Sequence, residues 1–372
     1  MSLLDYRLVR AALSLTFIVL PAYYLLLPTF HHASAELALQ VPQKHAASGK
    51  IEWQEPDGTT KSIPFIQNYF WLKFLDDQFL LASVVFSPSS NGYDLIGRWQ
   101  FSQFLIDVGP LYVVWLLEGW RRGNRWTPAA LPAVGLYIAQ LVTLGLAAPI
   151  WYFLQFTFGT SAKGLTTQQR TIQKEYVPAL LFLVLGLHLG IVGLAYFSPD
   201  HSARHWWVWA WQPVPLWIGL ANVVLVNTVL KLPGLWGLKD QWIFSASTLS
   251  VIVGTISLGS WALVWLKSPF SFRETFIPAV PLAQTTDLVL VSRELLQLDY
   301  LASFWATFAW MVSLFLDMYA GDIITGVEFA TAVSSIPIVC IFGGPGVALL
   351  NGWWWRERKL ARVDRKTTEK TE

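Results

Sequence analysis

Asp107 stands inside the apolar run WQFSQFLIDVGPLYVVWLLEG, eight residues past Trp99. At ~1.5 Å per residue that is roughly 12 Å of helix, close to the middle of a hydrocarbon core about 30 Å thick. A carboxylate is expensive at that depth, so it is a functional-site hypothesis by default. Gln100, Gln103 and Glu118 recur on the same helical face. The four form a polar stripe that suits a protein-lined cavity and not lipid. Asp107 has no basic neighbour in sequence, and it reads equally as a proton donor or as a hydrogen-bond hub. Glu118 borders Arg121 and Arg122, which favours an ion pair over a catalytic role.

Asp76 and Asp77 are adjacent in the segment FIQNYFWLKFLDDQFLLASVVF. The pair resembles the aspartate-rich motif that holds magnesium in prenyl-diphosphate enzymes. Such sites need a second acidic cluster on a facing helix, and the sequence offers none, so no metal is expected. Two adjacent carboxylates in a low-dielectric mouth would instead keep one member protonated, the state that a proton-donating enzyme uses. Asp317, at the end of a later apolar run, joins the candidate acids, with solvation of a helix end as its competing role. His188, alone in LLFLVLGLHLGIVGL, is more readily an interhelical hydrogen-bond group than a metal ligand. Trp99, Trp115, Trp305 and Trp310 fall at or inside apolar runs. With Gln103 and His188 they are the candidate substrate contacts. Aromatic faces stabilise cations by about 0.5–2 kcal/mol, so an acid among them suits carbocation chemistry.

The elements that must position these groups follow from composition. The chain has 372 residues, 54% hydrophobic and 13% charged, against about 25% charged in soluble domains. That excludes a soluble enzyme or a disordered regulator. A net charge of +2 with no basic face excludes nucleic acid as a partner. The one cysteine, Cys340, excludes a disulfide framework. Tryptophan is in excess, at 21 residues, more than interfacial belts need.

Eight apolar runs, near 8–27, 99–119, 129–157, 177–197, 214–232, 243–267, 300–319 and 329–351, read as transmembrane helices. The expected fold is therefore all-α: a polytopic bundle of about eight spans in one domain, 1–355, followed by a basic tail, 356–372. Arg7, Arg10 and the tail place both termini in the cytosol under the positive-inside rule. The segment 28–98 is then non-cytosolic. Its stretch 65–86 carries Lys73, Asp76 and Asp77, each costing about 2.5–3.5 kcal/mol in a span, and reads as a re-entrant or interfacial helix. This topology puts Asp317 in the same half as Asp76, Asp77 and Asp107.

Several short segments carry a resemblance: Gly97-Arg98-Trp99-Gln100-Phe101, Leu116-Leu117-Glu118-Gly119 with Arg121-Arg122-Gly123-Asn124, Tyr176-Val177-Pro178-Ala179-Leu180, and Trp211-Gln212-Pro213. Across roughly 65–355 the chain resembles the fungal membrane-bound terpene cyclases of meroterpenoid pathways, of the ascofuranone/ascochlorin cyclase type. It differs from the shorter seven-span cyclases in length and span count. The resemblance implies a cofactor-free, metal-independent isomerase or lyase in secondary metabolism. Its substrate would be a lipid-like prenylated small molecule, farnesyl-type and epoxidised or olefinic, taken from the bilayer of the endoplasmic reticulum. Asp107, with Asp77 second, is the expected acid. The competing expectation is a multi-pass transporter of a small hydrophobic compound, which calls for matched broken helices and a polar path across the membrane.

Overall fold

The computed structural model describes residues 3–30, 33–54, 57–66, 68, 70–279 and 287–368. In chain order the helices are α1 Leu3–Ser14, α2 Leu20–Phe30, α3 Ala33–Ala47, α4 Lys73–Asn91, α5 Leu95–Gly119, α6 Pro132–Val142, α7 Leu144–Phe158, α8 Thr167–Arg170, α9 Val177–Leu183, α10 Ile191–Phe197, α11 His201–Trp211, α12 Val214–Asn227, α13 Ala246–Lys267, α14 Phe272–Phe276, α15 Leu288–Ala320, α16 Gly326–Gly343 and α17 Pro345–Thr368. The strands β1 Lys50–Gln54 and β2 Thr60–Pro64 pair antiparallel as a hairpin between α3 and α4. Seven helices among the described residues are long and apolar enough to cross a membrane. The fold is an all-α polytopic bundle, and the chain is an integral membrane protein. Helices dominate because lipid offers backbone groups no partner, so each segment must bond within itself.

The central helix is α5, buried along nearly all its length, its polar stripe included. Packed against it are α4, α13, α15 and α17. α15 has 33 residues, about 50 Å of helix, so its first turns project beyond a core about 30 Å thick. There Arg293 pairs with Asp94 at 2.9 and 2.5 Å, next to the hairpin end of the molecule. Trp53 stacks on Tyr93 at 5.3 Å and closes that end.

Two of the eight apolar runs are not single crossing helices. The run 129–157 breaks at Thr143, and α6 and α7 fold back on each other. Gly135 and Trp151, eight residues either side of the break, touch, and a Cβ on Gly135 would lie 2.6 Å from the indole. The run 329–351 breaks at Gly344, and α16 returns as α17, held by the Lys359–Glu328 ion pair. Both breaks need the same backbone. Gly344 has φ +87° and ψ 161°, and Thr143 has φ +83° and ψ 151°. That region is essentially reserved for glycine, so Thr143 is strained. Replacing Gly135 with leucine would wedge the first hairpin open. We expect a loss of about 1–3 kcal/mol from overpacking, read as a lower melting temperature in detergent.

Both hairpins begin and end at one face. That face gathers Arg10 on Gly159 O, Asp317 on the Ala162 N–H, Arg170 on Leu360 O and Arg121 on Arg170 O. The N-terminal helix and the end of α17 thus share an Arg-rich end. Because α6–α7 does not cross, every later helix runs opposite to the direction expected from eight crossings. α15 descends toward the Arg-rich end, and Asp317 lies there, not with Asp107 and Asp76. The second hairpin, α16 and α17, returns the chain to the same end, where Glu328 meets Lys359 and Leu360 meets Arg170, so both termini lie there. The segment after β2 leaves and returns at the opposite end: Ile66 N–H donates to His205, and Asn91 O accepts from Arg204.

Candidate active site

A cavity of about 330 Å³ lies between α4, α5, the α6–α7 tip, Trp211 and the first half of α15. Its volume falls in the range of small-molecule sites, about 300–1,000 Å³. The wall is mostly hydrocarbon and aromatic, with Phe86, Phe101, Phe104 and Trp211 as its rings. Its other polar residues are Gln78, Tyr112, Gln140, Thr143 and Asp299. Asp299 is the carboxylate of this wall.

The strained hairpin tip explains how these groups are held. A helix end leaves carbonyls and amides without intrahelical partners. At the end of α6, Leu141 O accepts from Gln78 Nε2 at 2.8 Å. At the start of α7, the Gly145 N–H donates to Asp299 Oδ1. Thr143 sits between these two clamps, so the tip is tied to α4 on one side and α15 on the other. One oxygen of Asp299 is thereby fixed by the backbone, which orients the carboxyl in the wall. Behind the opposite wall, Trp211 Nε1–H donates to His188 Nδ1 at 3.1 Å, and His188 Nε2 lies 2.9 Å from Leu105 O. Accepting on one nitrogen and donating on the other is the pattern of a neutral imidazole. His188 rides a π-helical turn, Val184–Gly190, a form frequent at functional sites. It supports the cavity without lining it.

Asp107 is fully buried and accepts from Ser257 Oγ at 2.6 Å and Tyr300 Oη at 2.7 Å. Its third neighbour is the start of α17, where a Cβ on Gly346 would come within 2.6 Å of Oδ1. Asp107 therefore seats the second hairpin as Asp299 seats the first. It does not line the cavity. Gln103, beside Asp107, accepts from Ser260 Oγ through its Oε1 at 2.6 Å.

The other expected acids also lie elsewhere. Asp76 is buried and accepts the Phe70 N–H at 2.8 Å. Asp77 points outward and meets Lys73 at 2.6 Å, with 59% of its side chain exposed. The two carboxylates diverge and share no site. Glu118 is an ion-pair centre, bound by Arg121 at 2.8 Å, Arg356 at 3.1 Å and Trp353 Nε1 at 2.8 Å. Asp317 accepts from Tyr6 Oη at 2.8 Å. Among the aromatics, Trp115 donates to Tyr152 Oη at 2.8 Å and Trp310 stacks on that ring at 4.7 Å. Trp305 faces outward, 48% exposed, and Trp99 packs against the core away from the cavity. For Asp77→Asn we expect turnover within twofold of the parent and stability within about 1 kcal/mol, since an exposed pair contributes little. Product assays and melting curves on the same preparation check both.

The residues that reading the sequence missed are Asp299, Tyr112, Gln78 and Gln140. Asp299 stands one position before the apolar run taken to begin at Tyr300. Glu294 and Arg293 lower the local hydropathy, so the true start of α15 at Leu288 was hidden.

The CtvD domain family model matches residues 13–361. FAD-dependent monooxygenase verC1 of Penicillium polonicum is 26% identical over 89% of this chain and 42% of its own length. FAD-dependent monooxygenase anuJ of Penicillium roqueforti is 27% identical over 72% of this chain and 33% of its own. FAD-dependent monooxygenase BOA8 of Botryotinia fuckeliana is 24% identical over 86% of this chain and 42% of its own. The chain thus spans less than half the length of the curated relatives it matches. No solved structure matches it.

The flavin in those names does not fit the residues here. A dinucleotide fold needs a glycine-rich turn from a parallel strand into a helix. The strands among the described residues form one antiparallel hairpin. Among the described residues no Lys or Arg lines the cavity to meet a diphosphate, and the helix N-terminus in its wall is already taken by Asp299. With its match running from near the first apolar helix to the basic tail, the chain belongs to the CtvD domain family.

Proposed function

We propose that this chain is a membrane-bound cyclase of fungal secondary metabolism, acting by acid-initiated, metal-independent cyclisation of an epoxidised prenyl chain. One observation carries the reading: Asp299 is a buried carboxyl group set in the wall of a largely apolar, ring-lined cavity. The Asp299 carboxyl gives its proton to the epoxide oxygen. The C–O bond breaks as an alkene or an internal hydroxyl of the same chain forms the new bond to that carbon. A proton is lost from the resulting cation, or from the attacking hydroxyl, and restores Asp299. No atom is gained or lost overall. General acid catalysis of this kind contributes about 10²–10⁴-fold. The dry wall prevents capture by water, and Phe86, Phe101 and Phe104 offer π-faces to developing positive charge. Relatives that are monooxygenases by name and over twice as long support the reading, because an oxygenase supplies the epoxide that such a cavity would open. A location in the endoplasmic-reticulum membrane belongs to the same proposal.

The two broken apolar runs, at Thr143 and Gly344, favour a second reading. Broken helices meeting at mid-membrane are also how transporters build substrate sites. One experiment separates the two. Membranes containing the full chain are incubated with a farnesyl epoxide attached to an aromatic head. Cyclised product formed without added nucleotide or flavin supports the cyclase. Unchanged epoxide accumulating inside sealed vesicles overturns it in favour of transport.

A further inference from the structure

The cyclase reading uses Asp299 but leaves Tyr112 and Gln140 unexplained. Tyr112 follows Asp107 by five residues on α5, about 7.5 Å nearer the Arg-rich end. Tyr300, beside Asp299, is bonded to Asp107, so Tyr112 lies deeper in the cavity than the acid. The Tyr112 side chain is buried, at 1% exposure, and its hydroxyl makes no hydrogen bond of ordinary geometry. The Gln140 carboxamide is the polar group beside it. Around the pair the wall is Val108, Leu136 and Ala139. A tyrosine hydroxyl inside a protein normally finds a partner, and one left without a partner destabilises the fold. The ring itself is held edge-on against His188, centroids 4.6 Å apart, so the hydroxyl cannot swing away to find one.

We infer that Tyr112 and Gln140 form an oxygen-recognition site at the deep end of the cavity, so that the substrate is a long apolar chain carrying a hydroxyl or ether oxygen on the end inserted first. This inference deepens the cyclase reading by naming a second oxygen, several bonds from the one that Asp299 would protonate. Tyr112 acts as a specificity residue. A site built to bond an oxygen rejects the analogue that lacks it, because its polar group is then left unpaired.

The test needs no turnover. The detergent-solubilised full chain is titrated with farnesol and with farnesene, a hydrocarbon of the same chain length, and each affinity is read from the thermal shift. The parent is expected to bind farnesol at least tenfold more tightly than farnesene, about 1.4 kcal/mol. Tyr112→Phe is expected to remove that preference and to melt no lower than the parent, because the lost hydroxyl made no hydrogen bond of ordinary geometry. Equal affinities in the parent, or a preference surviving in Tyr112→Phe, would overturn the inference. So would a clear drop in melting temperature for Tyr112→Phe, which would make the hydroxyl structural. Asp299→Asn separates the two readings: it should keep the farnesol preference, so a failure of the acid assignment leaves this measurement unaffected.

Discussion

Asp299→Asn is expected to lower cyclisation by about 10²–10⁴-fold, the usual contribution of a positioned general acid, while the protein still folds. The substitution separates two roles of one side chain. An asparagine carbonyl can still accept the Gly145 N–H that Asp299 Oδ1 accepts now, so the α6–α7 tip keeps its anchor. What it cannot do is release a proton, because an amide is no acid at neutral pH. The check is product formation per folded molecule, with the melting temperature measured on the same preparation. Asp299→Ala is the harsher control. It removes the anchor as well, leaves the amide at the start of α7 buried without a partner, and should cost about 1–3 kcal/mol on top of the lost turnover. An Asp299→Asn protein with parental turnover would remove Asp299 from the chemistry and leave it a helix anchor only.

Fold class was legible in the sequence because hydropathy alone demands helices in lipid. The course of the chain was not. Apolar runs show where a helix is buried but not whether it turns back halfway. Thr143 gave no warning, since nothing in its neighbourhood marks a threonine that adopts a glycine backbone. Gly343-Gly344-Pro345-Gly346 did signal a break, but a break is compatible with a kink or a hairpin. The consequence was selective. The hairpins return the chain to the end it started from, so the termini share one end, and Asp317, between them, lies at that end too and not in the half that eight crossings imply. Asp299 is inconspicuous in the sequence for a related reason. A carboxylate deep in an apolar run is conspicuous, so Asp107 stood out. Asp299, just ahead of such a run, looked like a helix end. Only the contact of Gly145 with Asp299 brings it into the cavity wall.

Asp107→Ala should be the most destabilising of the substitutions considered, and its effect should fall on folding instead of chemistry. Ser257, Tyr300 and the first turn of α17 all direct donors at this one side chain. Removing it strands these groups at a point with no solvent, and each stranded donor costs about 1–3 kcal/mol, so a total of roughly 3–9 kcal/mol is expected. The hydroxyls can rotate toward one another, which favours the lower part of that range. The Gly346 amide cannot rotate. Asp107→Asn should cost less than alanine, since its carbonyl still meets that amide while the two hydroxyls adjust. Melting curves of both variants against the parent give the order parent, asparagine, alanine. Among molecules that fold, turnover should stay within several-fold of the parent, because Asp107 does not reach the cavity. A normally folded Asp107→Asn protein with no cyclisation would move the acid from Asp299 to Asp107. The polar stripe on α5 would then be the reaction centre and the apolar cavity an antechamber to it. The opposite pattern, unstable but active at 107 and stable but inactive at 299, would divide the two buried carboxylates between architecture and chemistry.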